Sequence, residues 1–398
     1  MKVAAYFNAN VTTGGGFQQS LNAALQMQKI CNGLYDFTVY TPIKSNLEVL
    51  EDLGLPGIYC PYRFLDKIFS LMARSAFFDR VQGKIRILSN FERQLMRDGV
   101  DLVYFLAPLA RASSLMMLNY IITVWDLCHR DFPEFPEVSS FCEFERRESL
   151  YKSVLAKAYL VIADSDELKQ KLVNYYSIDP QRILEMPFQP MQACSSSKNS
   201  GKDDDIIKGY DLSKGYLFYP AQFWSHKGHI RLLQALSMYR KRHRVSPTCV
   251  FSGGDTGNLR IVMQAASAYG LNDCVRFLGF IPNEHIPTFY RCSSALVMPT
   301  YFGPTNLPPL EAMSLGVPVI YPDHLRNQCG EAAIYFDIDD AESLCDAIER
   351  ILGERNEGFE AEGYKRLTQI NDDRRISEEK LAKKLREFSK RIQCWQEG

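Results

Sequence analysis

The chain has 398 residues, 46% hydrophobic and 23% charged, with a formal net charge of -1. That length exceeds one ordinary core and suits two domains of just under about 200 residues each, and a near-neutral charge offers no global positive field, so no nucleic-acid partner is expected. The eleven cysteines include no C-x-x-C and are odd in number, which supports neither a disulfide framework nor a zinc site and points to thiols in a reducing compartment.

Met1 to Phe7 reads as a strand rather than a signal peptide, and no apolar run approaches the ~18 residues of a membrane span. The expectation is a cytoplasmic protein, at most peripheral on the inner face of the membrane. Short apolar runs, each followed by a turn and a helix-like stretch, fall at Val3–Phe7, Phe37–Tyr40, Leu102–Leu106, Ile121–Trp125 and Tyr159–Ala163. This β-then-α alternation predicts an α/β fold with an open parallel sheet. Gly14, Gly15 and Gly16 lie between the first strand and a helix, where a backbone can approach an anion closely. Residues 63–97 carry Arg63, Lys67, Arg74, Arg80, Lys84, Arg86, Arg93 and Arg97 against Asp66, Asp79 and Glu92, interleaved with Phe64, Leu65, Ile68, Phe69, Leu71, Phe77, Phe78, Ile85 and Leu88, a pattern that suits an anionic membrane surface or packing on the chain's own sheet. Asp164-Ser165-Asp166 ends a strand and reads as the cap of a helix over Glu167–Tyr176, not as a metal site.

Ser195 to Asp205 contains no apolar residue and reads as a flexible linker or exposed loop. The alternation then restarts at Tyr216–Tyr219, Thr248–Ser252, Val275–Leu278, Ala295–Met298 and Val317–Tyr321, so a second α/β unit is expected. A charged helix from Ile376 to Cys394 closes the chain, with Ile376, Leu381, Leu385, Phe388 and Ile392 on one face apart from one five-residue step.

The most informative stretch is Met298 to Ile320, where Gly303-Pro304-Thr305-Asn306-Leu307 leads into a helix near Pro308 that carries Glu311 and stops at Gly316. A loop feeding a helix N-terminus presents N–H groups and the positive end of the dipole to a phosphate, and a carboxylate such as Glu311 can accept two hydroxyl hydrogen bonds from a ribose. The run resembles the signature of retaining GT-B glycosyltransferases of glycosyltransferase family 4, in which Glu-x7-Glu precedes Ala-Met/Ala-Ala-x-Gly-x-Pro-Val. Glu311 falls on the second Glu and Gly303 on the first, so this chain is a variant at the sugar end. Leu217 to His229 resembles the family's Gly-Arg-x4-Lys-Gly strand, with Lys227 on the Lys and Gln222 in place of Arg.

The resemblance implies two Rossmann-like domains facing each other across a cleft. The N-terminal acceptor domain would span 1–195, a linker or exposed loop 196–210, and the donor domain 211–375. A helix over 376–398 would cross to the N-terminal domain. Implied donor contacts are Gly14, Gly15, Gly16, Gln222, Lys227, Gly253, Gly254, Phe280, Ile281, Gly303, Pro304, Thr305, Asn306, Leu307 and Glu311. Asp126, His129 and Lys227 would serve catalysis, and Trp125, at the family's His position, would line the acceptor side with His129 and Arg130. The implied reaction moves a sugar from a GDP-, UDP- or dTDP-linked donor to a hydroxyl of a glycan or lipid-linked acceptor, with retention and without a metal or other cofactor, in bacterial surface polysaccharide assembly. The competing readings are another GT-B enzyme (a sugar-nucleotide epimerase or a phosphorylase) and a catalytically silent nucleotide-sugar-binding protein.

Overall fold

The computed structural model describes residues 1–10, 15–73, 87–190, 194, 203–303, 305–353 and 358–396. The chain forms two units of nearly equal weight: Met1–Arg130 with Phe141–Phe188 and Asp373–Gly398, and Asp131–Ser140 with Gln189–Asp372.

The first unit is built on β1 (Lys2–Tyr6), β2 (Asp36–Thr41), β3 (Gly57–Tyr59), β4 (Leu102–Phe105), β5 (Asn119–Val124), β6 (Leu160–Ala163) and β7 (Ile183–Glu185). They pair in parallel in the order β3-β2-β1-β4-β5-β6-β7. Its main helices are α1 (Gly15–Cys31), α2 (Asn46–Asp52), α3 (Phe64–Met72), α4 (Asn90–Arg97), α5 (Glu143–Leu155) and α6 (Asp166–Tyr176). The sheet is buried on both faces, and the strand period of two divides β1 between them: Ala4 and Tyr6 join one core, Val3 and Ala5 the other. Ser165 accepts from the N–H of Leu168 and caps α6, the role expected from its sequence context.

The second unit repeats the plan with β8 (Tyr216–Pro220), β9 (Cys249–Ser252), β10 (Val275–Phe277), β11 (Ser293–Val297), β12 (Val319–Pro322) and β13 (Ile334–Phe336), all parallel, in the order β10-β9-β8-β11-β12-β13. Its helices are α7 (Asp203–Gly209), α8 (His229–His243), α9 (Leu259–Ala268), α10 (Ile286–Arg291), α11 (Leu307–Ser314) and α12 (Ala341–Gly353).

Two expectations need correction. The polar run read as a linker over 196–210 ends in α7; residues 195–202 lie outside the described residues. Three aspartates in the first turn suit a helix N-terminus, Ile207 is buried, and the Asp203 carboxylate holds Arg291 at 2.7 and 2.8 Å and Thr288 at 2.8 Å. The last helix, α13, runs from Phe359 to Gln396 and begins well before Ile376. Ile376 points outward, while Arg374 and Ser377 are buried in line with Leu381, Leu385, Phe388 and Ile392. That removes the five-residue step: the inward face runs 374, 377, 381, 385, 388, 392, in steps of three and four. The four apolar residues pack with Val3, Phe7 and Tyr159 of the first unit, and Arg374 donates to the carbonyl of Pro187.

Among the described residues no helix is long and apolar enough to cross a membrane. The eleven cysteines are free thiols; Cys142 and Cys394 are exposed and the other nine buried.

Candidate functional site

In a parallel sheet of this kind ligands bind beyond the carboxyl ends of the strands. In the second unit that edge carries the loop after β8, with Lys227, and the loop after β11, with Gly303 to Asn306. Lys227 Nζ donates to Asn306 Oδ1 at 3.3 Å, and the buried Tyr219 hydroxyl donates to the Lys227 carbonyl at 2.8 Å. Gly228 follows at φ +61, with the place of a Cβ only 2.0 Å from the Pro299 carbonyl oxygen, so the two loops touch backbone to backbone.

Asn306 occupies the N-cap position of α11, but its side chain does not cap the helix. Its amide nitrogen donates instead to the Gly303 carbonyl (2.9 Å) and the buried Tyr321 hydroxyl (2.7 Å). Gln328 locks the other side, accepting from the Asn306 N–H at 2.9 Å and donating to its carbonyl. The expectation of a row of backbone donors over 303–307 is therefore narrowed. The Asn306 N–H is taken, Pro304 (outside the described residues), Pro308 and Pro309 have none, and any backbone donor must come from Gly303, Thr305 or Leu307.

Gly303 stands at φ +112, a conformation open in practice to glycine alone, and a Cβ would lie 2.9 Å from both Asn306 amide atoms. Glycine at this position is thus a requirement of the loop as folded. Glu311, on the next turn of α11, is buried and accepts from the Tyr290 hydroxyl at 2.8 Å. Burial and the neighbouring carboxylate push the Tyr290 hydroxyl well above its ordinary pKa, so it stays a donor.

Residues 131–140 belong to this unit although the chain on either side of them belongs to the other. They bring Glu137 to His226: one carboxylate oxygen lies 2.8 Å from the His226 backbone nitrogen and 2.5 Å from Nδ1. Burial alone would raise the Glu137 pKa, but the His226 hydrogen bonds win and hold it below the usual range. The carboxylate is then an acceptor, which assigns the proton to Nδ1. Phe302 stacks on the His226 ring at 3.8 Å and 15°, with Phe135 edge-on to Phe302 at 5.6 Å. Neither Glu137 nor Phe302 was signalled by the sequence motif.

At the other end of the edge, the Gly253 N–H donates to the Gly279 carbonyl (2.8 Å), and Gly254 accepts from Phe223 (3.1 Å), joining the loops after β8, β9 and β10. Phe280 is 61% exposed, whereas the Ile281 side chain is buried. Gln222 Oε1 accepts from the Trp224 indole at 3.1 Å.

In the first unit, Gly15 and Gly16 open α1, and Gly14 lies outside the described residues. The Trp125 ring lies 3.7 Å from where a Cβ of Gly16 would stand, so the indole covers the start of α1. Asp126 is partly committed locally, accepting from the N–H and thiol of Cys128 at 3.1 and 2.7 Å. The expectation that His129 faces an acceptor is corrected. His129 has no exposed side-chain surface, stacks on Tyr151, and sits 2.9 Å from Glu148. Glu148 also takes both Arg130 donors, at 2.7 and 2.5 Å, and the Tyr176 hydroxyl at 2.6 Å. Burial lowers the His129 pKa despite that carboxylate. The buried carboxylate on α5 thus ties an interior His129 to a partly exposed Arg130 in one cluster.

Residues 214–354 match the family model described as Glycosyl transferases group 1. The O-antigen chain mannosyltransferase B of Escherichia coli is 26% identical over 203 residues, covering 50% of this chain and 52% of that protein. The match thus spans about half the length of that curated relative. Among solved structures, a glycosyltransferase from Rickettsia africae superposes with a TM-score of 0.70 at 15% identity, covering 98% of both chains. Anabaena HepE in complex with UDP-glucose gives 0.71 at 15% identity, covering 96% of this chain and all of the other. At such identities the structural likeness establishes the fold.

Proposed function

We propose that this chain, a GT-B protein whose residues 214–354 form a glycosyl transferases group 1 domain, moves a sugar from a nucleoside-diphosphate donor to a hydroxyl of a glycan or glycolipid, with retention of anomeric configuration. The observation that carries the reading is that Lys227 bonds to Asn306, the N-cap residue of α11, while Glu311 stands about one turn into that same helix. Lys227 is the point charge for the departing diphosphate, and α11 adds the positive end of its dipole. Glu311, fixed by Tyr290, is the acceptor for the ribose diol. Catalysis then rests on positioning and on stabilising the leaving diphosphate, which takes the acceptor proton on the same face of the sugar; no enzymic nucleophile and no metal are required. The buried, locked state of His129 agrees with a reaction that needs no histidine base. The Escherichia coli relative acts on O-antigen chains, which supports a place in surface polysaccharide assembly.

A thermal-shift panel of UDP, GDP, dTDP and CMP with their sugars tests this directly. The correct ligand at 100 times its dissociation constant stabilises by about 2.7 kcal/mol. The hit donor should then support transfer unaffected by EDTA and reduced at least about a hundredfold by Lys227→Ala, the scale of lost charge stabilisation at a leaving group. No stabilisation by any nucleotide, or near-normal transfer by the variant, sinks the assignment.

A further inference from the structure

The resemblance leads one to expect two positive charges for the donor diphosphate, and Gln222 stands where the arginine would. Its side chain is engaged locally, Oε1 accepting from the Trp224 indole at 3.1 Å. What the loop after β8 offers in addition to Lys227 is His226, the preceding residue in the single turn Ser225–Lys227. The charge of the basic stretch over 63–97, whose middle, 74–86, lies outside the described residues, is not needed for this site.

The fold holds His226 at four points. Its backbone nitrogen donates to Glu137 at 2.8 Å, and Nδ1 donates to the same carboxylate oxygen at 2.5 Å. Its carbonyl accepts from the Tyr301 N–H at 2.8 Å. Its ring lies flat on Phe302, with 3.8 Å between centroids and 15° between planes. The ring is thus wedged between the loop that carries Lys227 and the loop that carries Gly303, one residue from each in sequence contact. An ionised carboxylate on Nδ1 and an aromatic face beneath the ring both favour an imidazolium, while burial and the Lys227 charge oppose it. The titratable and charged groups that face it are Glu137 from residues 131–140, Lys227 on its own turn, and His229 and Arg231 on α8, the last through the Tyr301 hydroxyl at 3.4 Å. His324 reaches the Tyr301 carbonyl at 2.8 Å.

We infer that His226, as an imidazolium oriented by Glu137, is a catalytic residue that supplies the second positive charge to the departing diphosphate, in place of the arginine absent at Gln222. The inference rests on the proposed function and deepens it. The bond from the sugar C1 to the diphosphate oxygen breaks, the acceptor oxygen bonds to C1, and the acceptor proton passes to the diphosphate. His226 keeps its own proton throughout and donates a hydrogen bond through Nε2, so it acts as a cation and not as a base. Glu137 is its positioning residue, and their direct bond outweighs the repulsion from Lys227.

The test is the pH dependence of kcat/KM with the donor that the nucleotide panel identifies. It compares wild type, Glu137→Gln, His226→Gln and His226→Gln/Gln222→Arg, each shown to be folded by thermal unfolding. Wild-type activity should fall as pH rises past about 7, where the ring loses its proton. Glu137→Gln keeps an acceptor but removes the charge, so this fall should move down by about 1–3 pH units. His226→Gln should lose about a hundredfold at neutral pH, and the fall with it. Adding Gln222→Arg should return at least about tenfold of that loss, independent of pH over the same range. A histidine that only packs the loop gives an unmoved fall in Glu137→Gln and no rescue by the arginine; either result overturns the role. Should His226→Gln not fold, the position of the fall in Glu137→Gln decides alone. Absence of transfer by wild type from every donor sinks the glycosyltransferase reading and this role with it, whereas transfer with an unmoved fall sinks this role only.

Discussion

One carboxylate oxygen of Glu137 lies 2.8 Å from the backbone nitrogen and 2.5 Å from the ring of His226, the residue before Lys227. The loop that carries the lysine is thus held by a residue some ninety positions upstream, through a charge-assisted contact of the kind worth about 1.5–3 kcal/mol. Glu137→Ala should lower stability by that amount and slow transfer at least about tenfold through misplacement of Lys227. Glu137→Gln should recover part of both. The pKa of Glu137 is depressed from 4.5, so its contribution is present above that value and lost as pH falls through the folded pKa. Denaturation of wild type and Glu137→Gln across the acid range checks the sign: the gap between them should close below pH 4.5.

Restoring the acidic residue that the resemblance leads one to expect should harm this protein. Gly303→Glu must hold a side chain at φ +112 and displace the Asn306 amide from 2.9 Å, at about 1–3 kcal/mol for the backbone alone. Urea denaturation should show that loss, and donor KM should rise as Asn306 leaves Lys227. Adding Asn306→Gly should relieve the crowding but not the backbone strain. Full activity in Gly303→Glu would mean the loop is not held as described.

Glu311→Gln keeps an acceptor for Tyr290 but halves the capacity to receive a diol. Stability should change by less than about 1.5 kcal/mol, while affinity for the nucleoside diphosphate falls at least about tenfold. Tyr290→Phe should do the converse, costing about 1–3 kcal/mol of stability by leaving the buried carboxylate short of a donor. Calorimetry for binding and thermal unfolding for stability separate the two.

His229, at the start of α8, is buried against Phe223, Tyr219 and Phe251, and burial, with the Lys227 charge second, lowers its pKa to about 3. The unfolded chain protonates near 6.5 while the folded chain stays neutral. Stability from this group is therefore complete above pH 6.5 and declines as pH falls towards 3, by up to about 1.4 kcal/mol per pH unit. His229→Phe should flatten that slope. An unchanged slope would mean that His229 does not carry it.

All ten strands expected from apolar runs exist: nine are central strands of a parallel sheet, buried on both faces and read as continuous hydrophobic stretches, and the tenth, β10, is a three-residue edge strand that showed because its apolar run continues through Leu278. The three that the sequence did not reveal, β3, β7 and β13, are also three-residue edge strands, whose few residues display no pattern of their own. Lys227 and Glu311, proposed as donor contacts, stand out in the sequence because local motifs carry them. Glu137 does not, since its role depends on a contact 89 residues away in sequence. His129 misled for the same reason: Glu148, which buries it, lies on another helix.

The distribution of thiols gives the protein a built-in reporter. Cys142 and Cys394 are exposed, while the other nine sit in the interior, with burial raising Cys31 and Cys329 to about 12 and Cys345 to about 11. A maleimide added to the native protein should attach rapidly at two positions and only slowly elsewhere. Cys142 and Phe141 form a backbone reversal, with φ of 61 and 54, directly after the segment that brings Glu137 to His226. A fluorophore there would sense rearrangement of that segment without an introduced cysteine. The rate at which further adducts accumulate by mass would time the opening of each core.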